Sequence, residues 1–159
     1  MKPGIEQLDE KKLVGMRASM SFTDNRTSDL WRKFMPGRNE ILNVAGSGLY
    51  SVELYPPGYY DQFNPAAVFW KWACMEVKEF LPLPPGMESL IVPAGLYAVF
   101  IHKGPATDGP KTYGYIFREW LPSSGFLLDD RPHFAVMGEK YRKDDPASEE
   151  EIWIPIRPK

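Results

Sequence analysis

"LWRKFMP", residues 30–36, returns at residues 116–122 as "IFREWLP", an offset of 86 (116 − 30), and the two match position for position. Each lies in a helical pattern. Leu30, Trp31, Phe34 and Met35 form one apolar stripe; Tyr113, Ile116, Phe117, Trp120 and Leu121 form the other. Thr27 or Ser28 is placed to cap the first helix and Pro36 to end it, while Pro110 opens the second. Working outward, a stretch with β-like alternation precedes each helix (13–22 and 95–104), and two strands follow each (49–55 and 69–77; 133–141 and 149–156). "YSV" at 50–52 falls on "FAV" at 134–136, and Trp72 lies near Trp153. "LPLPPG" at 81–86 breaks the pattern between the halves.

The expectation is one α+β domain over residues 1–159, a duplicated βαββ unit with pseudo-twofold symmetry. Its halves run from about 12 to 78 and about 90 to 157, with a linker at about 80–88. Two such units joined edge to edge predict an antiparallel sheet with both helices on one face and a ligand cleft on the other. In the last strand Ile152, Ile154 and Ile156 alternate with Trp153 and Pro155. The isoleucines are assigned to the helices, so Trp153 is assigned to the open face.

Composition narrows the function. The chain has 159 residues, 43% hydrophobic and 25% charged, as a globular domain does. The net charge is −2 and no run of Lys or Arg stands out, which argues against direct nucleic-acid binding. Cys74 is the single cysteine, so neither an internal disulfide nor a Cys-based metal cage can form, and no metal or cofactor is expected. The polar "MKPGIEQLDEKK" start lacks the apolar stretch of a signal peptide. No apolar run approaches the ~20 residues that span a bilayer. A cytoplasmic protein without membrane contact is expected, a monomer or weak homodimer held through a strand edge.

"PAGLYAVFIHKGP", "YIFREWLPSSGFLLDDRPHF" and "SEEEIWIPI" together resemble the GyrI-like small-molecule-binding domains, which also form the effector-binding part of multidrug-sensing transcription regulators. The resemblance covers roughly residues 10 to 157. It implies the duplicated βαββ fold and a cleft between the halves for bulky, hydrophobic aromatic, often cationic compounds, with aromatic rings stacking on the ligand and one acid offsetting its charge. That acid follows the Phe of a "PHFE" pattern. Here the pattern reads Pro132, His133, Phe134, Ala135, and a methyl group cannot act as counter-ion, acid or base.

With Phe134 and Val136 assigned to the helices, Ala135 and Met137 are expected in the cleft. With Tyr50, Val52 and Leu54 assigned likewise, Ser51 and Glu53 join them, Glu53 being the best remaining counter-ion. Trp72, Trp153 and Tyr97 are expected to supply ring faces, and cation–π contact contributes ~0.5–2 kcal/mol per ring. The loop "YPPGYYDQFNP" (55–65) carries four aromatics, and Tyr55, Tyr59 and Tyr60 are expected to line or lid the cleft. The expected function is stand-alone binding of such compounds. The alternative, implied by the resemblance, is hydrolysis of strained cyclopropane rings in DNA-alkylating natural products. It would use a carboxylate to activate water, Glu53 or position 135 being the catalytic candidates, and Ala135 would impair it.

Overall fold

The computed structural model describes residues 1–159. In chain order the elements are β1 (Gly4–Leu8), β2 (Lys11–Met20), α1 (Thr27–Phe34), β3 (Val44–Leu54), β4 (Phe69–Val77), β5 (Glu88–Val92), β6 (Gly95–Lys103), α2 (Gly109–Tyr115), α3 (Leu121–Ser123), β7 (Phe126–Leu128), β8 (His133–Met137) and β9 (Glu149–Pro158). A 3-10 turn, Met35–Glu40, extends α1, and a π-helical segment, Ile116–Trp120, joins α2 to α3. The duplicated strand–helix–strand–strand order is present. The N-cap of α1 is Arg26, without a side-chain capping bond, rather than the Thr27 or Ser28 expected from the sequence; Asn25, just before it, accepts hydrogen bonds from the Thr27 backbone N–H (3.0 Å) and hydroxyl (2.6 Å).

All main strand pairs are antiparallel. β3 and β8 meet at the centre, where Ser51 pairs with Ala135 and Tyr50 with Val136. The repeat aligns position 51 with 135, so the pseudo-twofold axis passes between these two residues. On the far side, β1 pairs with β6 (Leu8 with Gly95) and β2 with β5 (Lys11 with Val92). Both pairings keep one register, because the paired residue numbers total 103 in each. β1 runs almost directly into β2 and β5 into β6, so the two ladders form one seam that closes the sheet into a barrel.

Closure gives the sheet two buried faces. Inside the barrel, one cluster draws on every strand line: Leu8, Leu13, Tyr50, Val52, Trp72, Cys74, Val92, Tyr97 and Phe134, with Trp153 packed against it. Outside, the helices cover two separate clusters. Leu30 and Phe34 of α1 pack on Val14, Phe69 and Ala73, while Ile116 packs on Ala98, Phe100, Ile152, Ile154 and Ile156. Gly15 permits a close strand approach, since a Cβ there would overlap the Ala73 carbonyl and Cys74. Arg131 closes one side of the barrel: its guanidinium donates to the Leu96 and Ile156 carbonyls (2.6 and 3.0 Å) and lies 4.8 Å from the Tyr97 ring.

Candidate functional site

The residues expected to share one cleft divide between the two faces. Trp72, Trp153 and Tyr97 lie inside the barrel. Trp153 stacks on Phe134 (5.3 Å, 14°), the fully buried Tyr97 donates its hydroxyl to the Pro132 carbonyl (2.6 Å), and Trp72 is 4% exposed. Ser51, Glu53, Ala135 and Met137 lie on the outer face with the helices. The register decides this: Ala135 pairs with Ile152 and Ser51 with Ala73, both of which pack under helices, whereas Phe134 pairs with Trp153. The assignment of Phe134, Val136, Tyr50, Val52 and Leu54 to the helices is therefore corrected: they pack inside the barrel, and Ser51, Glu53, Ala135 and Met137 share the helices' face. Both faces of β3 and β8 are apolar because both are covered, so alternation names the sets without naming the inward one.

Where the axis leaves the outer face, between the two helices, the floor is formed by Ser51, Ala135, Glu53 and His133, each less than 10% exposed. Glu53 pairs in register with His133 on one side and with Lys71 on the other. The Lys71 ammonium lies 3.3 Å from the Glu53 carboxylate. Burial raises the Glu53 pKa above the usual carboxylate range, and Lys71 opposes that rise. Burial, aided by the charge of Arg131, pushes His133 down to about 3, so the imidazole is neutral. Burial also raises Tyr55 and Tyr113, and the charge of Glu53 adds to both shifts.

Rings cover this floor. Tyr60 packs near-parallel with Phe63 (5.8 Å, 9°) and Phe117 (4.8 Å, 12°), and it stacks over His133 at 5.9 Å. Tyr55 meets His133 edge-on at 4.8 Å and packs against Tyr59, Tyr60 and Phe69. Tyr59 is tied down through its hydroxyl, which donates to the Ala67 carbonyl (2.9 Å). The loop after β3 thus folds its aromatics into the space between the helices, and the π-helical segment carries Phe117 to meet them from the other half. Of the residues expected at the cleft, Tyr55, Tyr59 and Tyr60 come together here, while Lys71, Phe117 and His133 were not among those expected. Phe117 reads as one more member of a helix stripe. Lys71 gives no signal until pairing puts it beside Glu53.

A family model described as "GyrI-like small molecule binding domain" matches residues 1–157. The chain belongs to this family. The transcriptional regulator BrlR of Pseudomonas aeruginosa is 32% identical over 146 residues, 91% of this chain and 51% of BrlR. A DNA gyrase inhibitor from Erwinia billingiae is 35% identical over 80 residues, 46% of this chain and 49% of the inhibitor. The chain thus spans about half the length of the curated relatives it matches. Among solved structures, SAV2435 bound to tetraphenylphosphonium superposes with a TM-score of 0.74 at 13% identity, covering 99% of this chain and 94% of SAV2435. A hydrolase encoded by lin2189 from Listeria innocua gives 0.60 at 11% identity, covering 98% and 92%. At these identities the likeness is one of fold. This GyrI-like domain has no helix long and apolar enough to cross a membrane.

Proposed function

We propose that this domain binds bulky, flat aromatic compounds between its two helices, over the Ser51–Ala135 floor, rather than inside the barrel. The observation that carries this reading is the aromatic stack: Tyr60 packs against Phe63 and Phe117 with both rings within 12° of parallel to it, and we take its place as the slot. The slot has the shape of a site for a planar ring, and the protein fills it with its own side chain. Each such ring pair contributes about 0.5–1.5 kcal/mol beyond its buried area. A ligand replacing Tyr60 recovers both contacts, while Tyr60 moves outward on an exposed loop. By contrast, an open groove of about 640 Å³ beside α1 is lined by Arg17, Arg26, Asp29, Arg32, Lys33 and Glu88 among others, a charged setting unsuited to an apolar ring. Family membership supports a small-molecule ligand, and the resemblance adds cationic aromatics to the class. Whether positive charge is welcome turns on Glu53 and its neighbours.

Calorimetric titration with acridine tests the reading. Phe117→Ala is expected to weaken binding about tenfold, the loss of roughly one stacking contact. Tyr60→Ala, which empties the slot, is expected to bind at least as tightly as the parent chain. Absence of saturable binding to both the parent and Tyr60→Ala would overturn it.

Hydrolysis of strained rings is the second reading, and it rests on Glu53, a buried carboxyl with a raised pKa beside the slot. Recovery of a bound cyclopropane-containing compound unchanged, by mass spectrometry after long incubation, would remove it.

A further inference from the structure

The floor carboxylate at the slot is already paired. Glu53 is the floor carboxylate in register with His133, over which Tyr60 stacks, and the Lys71 ammonium sits 3.3 Å from it. Both side chains are largely buried, 16% and 11% exposed for Lys71 and Glu53. Position 135, in register with Ser51 at the axis, holds an alanine that is 5% exposed and supplies no charge. His133 is neutral. The other nearby acid, Glu150, lies beyond Ile152 on β9, opposite His102 in register and past the Val136–Glu151 pair; burial raises its pKa, His102 opposes that rise, and the charges of Glu53 and Lys71 reach it more weakly.

A cation entering the slot loses its water, and the carboxylate it meets at the floor, Glu53, is already paired with Lys71. The attraction of Glu53 is reduced by the ammonium paired with it at 3.3 Å, so much of the cost of desolvating the ligand's charge stands uncompensated. An uncharged ring makes the same stacking contacts without that cost. An ammonium placed to repel one class of ligand is a recognised route to specificity.

We propose that this site selects uncharged flat aromatic compounds over cationic ones of the same outline, and that Lys71 sets the preference by occupying Glu53. The proposal rests on the aromatic slot being the binding site. The test is calorimetry on the full chain with two probes of matched shape: acridine at mildly alkaline pH, where its ring nitrogen is unprotonated, and N-methylacridinium, a permanent cation. The parent chain is expected to bind acridine about tenfold more tightly. Lys71→Met keeps the side chain's length and removes its charge, so Glu53 is freed and the preference is expected to reverse in favour of the cation. A Lys71→Met, Glu53→Gln double variant removes both charges and guards against misfolding from an unpaired carboxylate. It is expected to prefer acridine again.

Equal or tighter binding of N-methylacridinium by the parent overturns the proposal while leaving the slot as the binding site. An unchanged preference in folded Lys71→Met removes Lys71 from the role. If neither probe binds the parent or Tyr60→Ala, the slot itself is not the site and both readings fall.

Discussion

His133 sits on the floor with 6% of its surface exposed, beneath Tyr60 and against Tyr55. Its folded-state pKa, about 3, lies below the ordinary 6.5, so below pH 6.5 the unfolded chain takes up a proton that the folded chain refuses. The stability from His133 is therefore complete above about pH 6.5 and is lost progressively as pH falls toward 3, up to about 4–5 kcal/mol. Glu53 acts in the opposite sense. Its pKa is raised in the fold, so its contribution is greatest below the unfolded carboxylate value and is lost as pH rises through the folded one. Urea unfolding across the acid range should show a flatter pH dependence for His133→Gln than for the parent. Identical slopes would mean that the imidazole gains a proton without unfolding the floor.

At the scale of elements, the pairing of β2 with β4 depends on Gly15. A methyl group there would overlap the Ala73 carbonyl and Cys74, so Gly15→Ala should cost about 3 kcal/mol or more, read as a drop in the urea midpoint. A loss under about 1 kcal/mol would show that the two strands can spread. Elements also differ in how plainly the sequence announces them. Both helices and the strands beginning at Phe69, Gly95 and Glu149 follow from apolar spacing. β8 ends at Met137, before the 141 expected, where Gly138 and a polar loop follow. β1, β5 and β7 were missed. "GIEQL" buries only Leu8, so its side chains carry no pattern, and it is a strand because β6 offers it a ladder. β5 begins at Glu88, the last residue of the expected linker, and is held in the same way by β2.

For the whole molecule, closure of the barrel has a measurable consequence. In an open sheet, β1 and β5 would be frayed ends; here they form the seam that returns the sheet to its start. Hydrogen exchange should find the seam amides of β2, β5 and β6 protected to nearly the same degree as those of β3 and β8 at the axis. Fast exchange throughout the seam would indicate a barrel that opens there. The seam also pairs the strand edges that had suggested a dimer, so edge pairing no longer argues for one.

The sequence by itself determined the repeat, the helices and their buried stripes, the α+β class, the family and the aromatic content of the loop after β3. Those properties are local or periodic, and each is written in the spacing of side chains. It also separated each strand into its two sets of side chains, and here it reached its limit. With helices outside a closed barrel both sets are apolar, so only the register of β8 against β3 and β9 shows that Phe134 and Trp153 point inward and Ala135 outward. Tertiary structure alone decided that Glu53 meets Lys71 and that Tyr60 packs against Phe63 and Phe117. Glu53 and Lys71 come from different strands and Phe117 reaches Tyr60 from the other half, and no spacing along one segment records a contact that pairing and folding make.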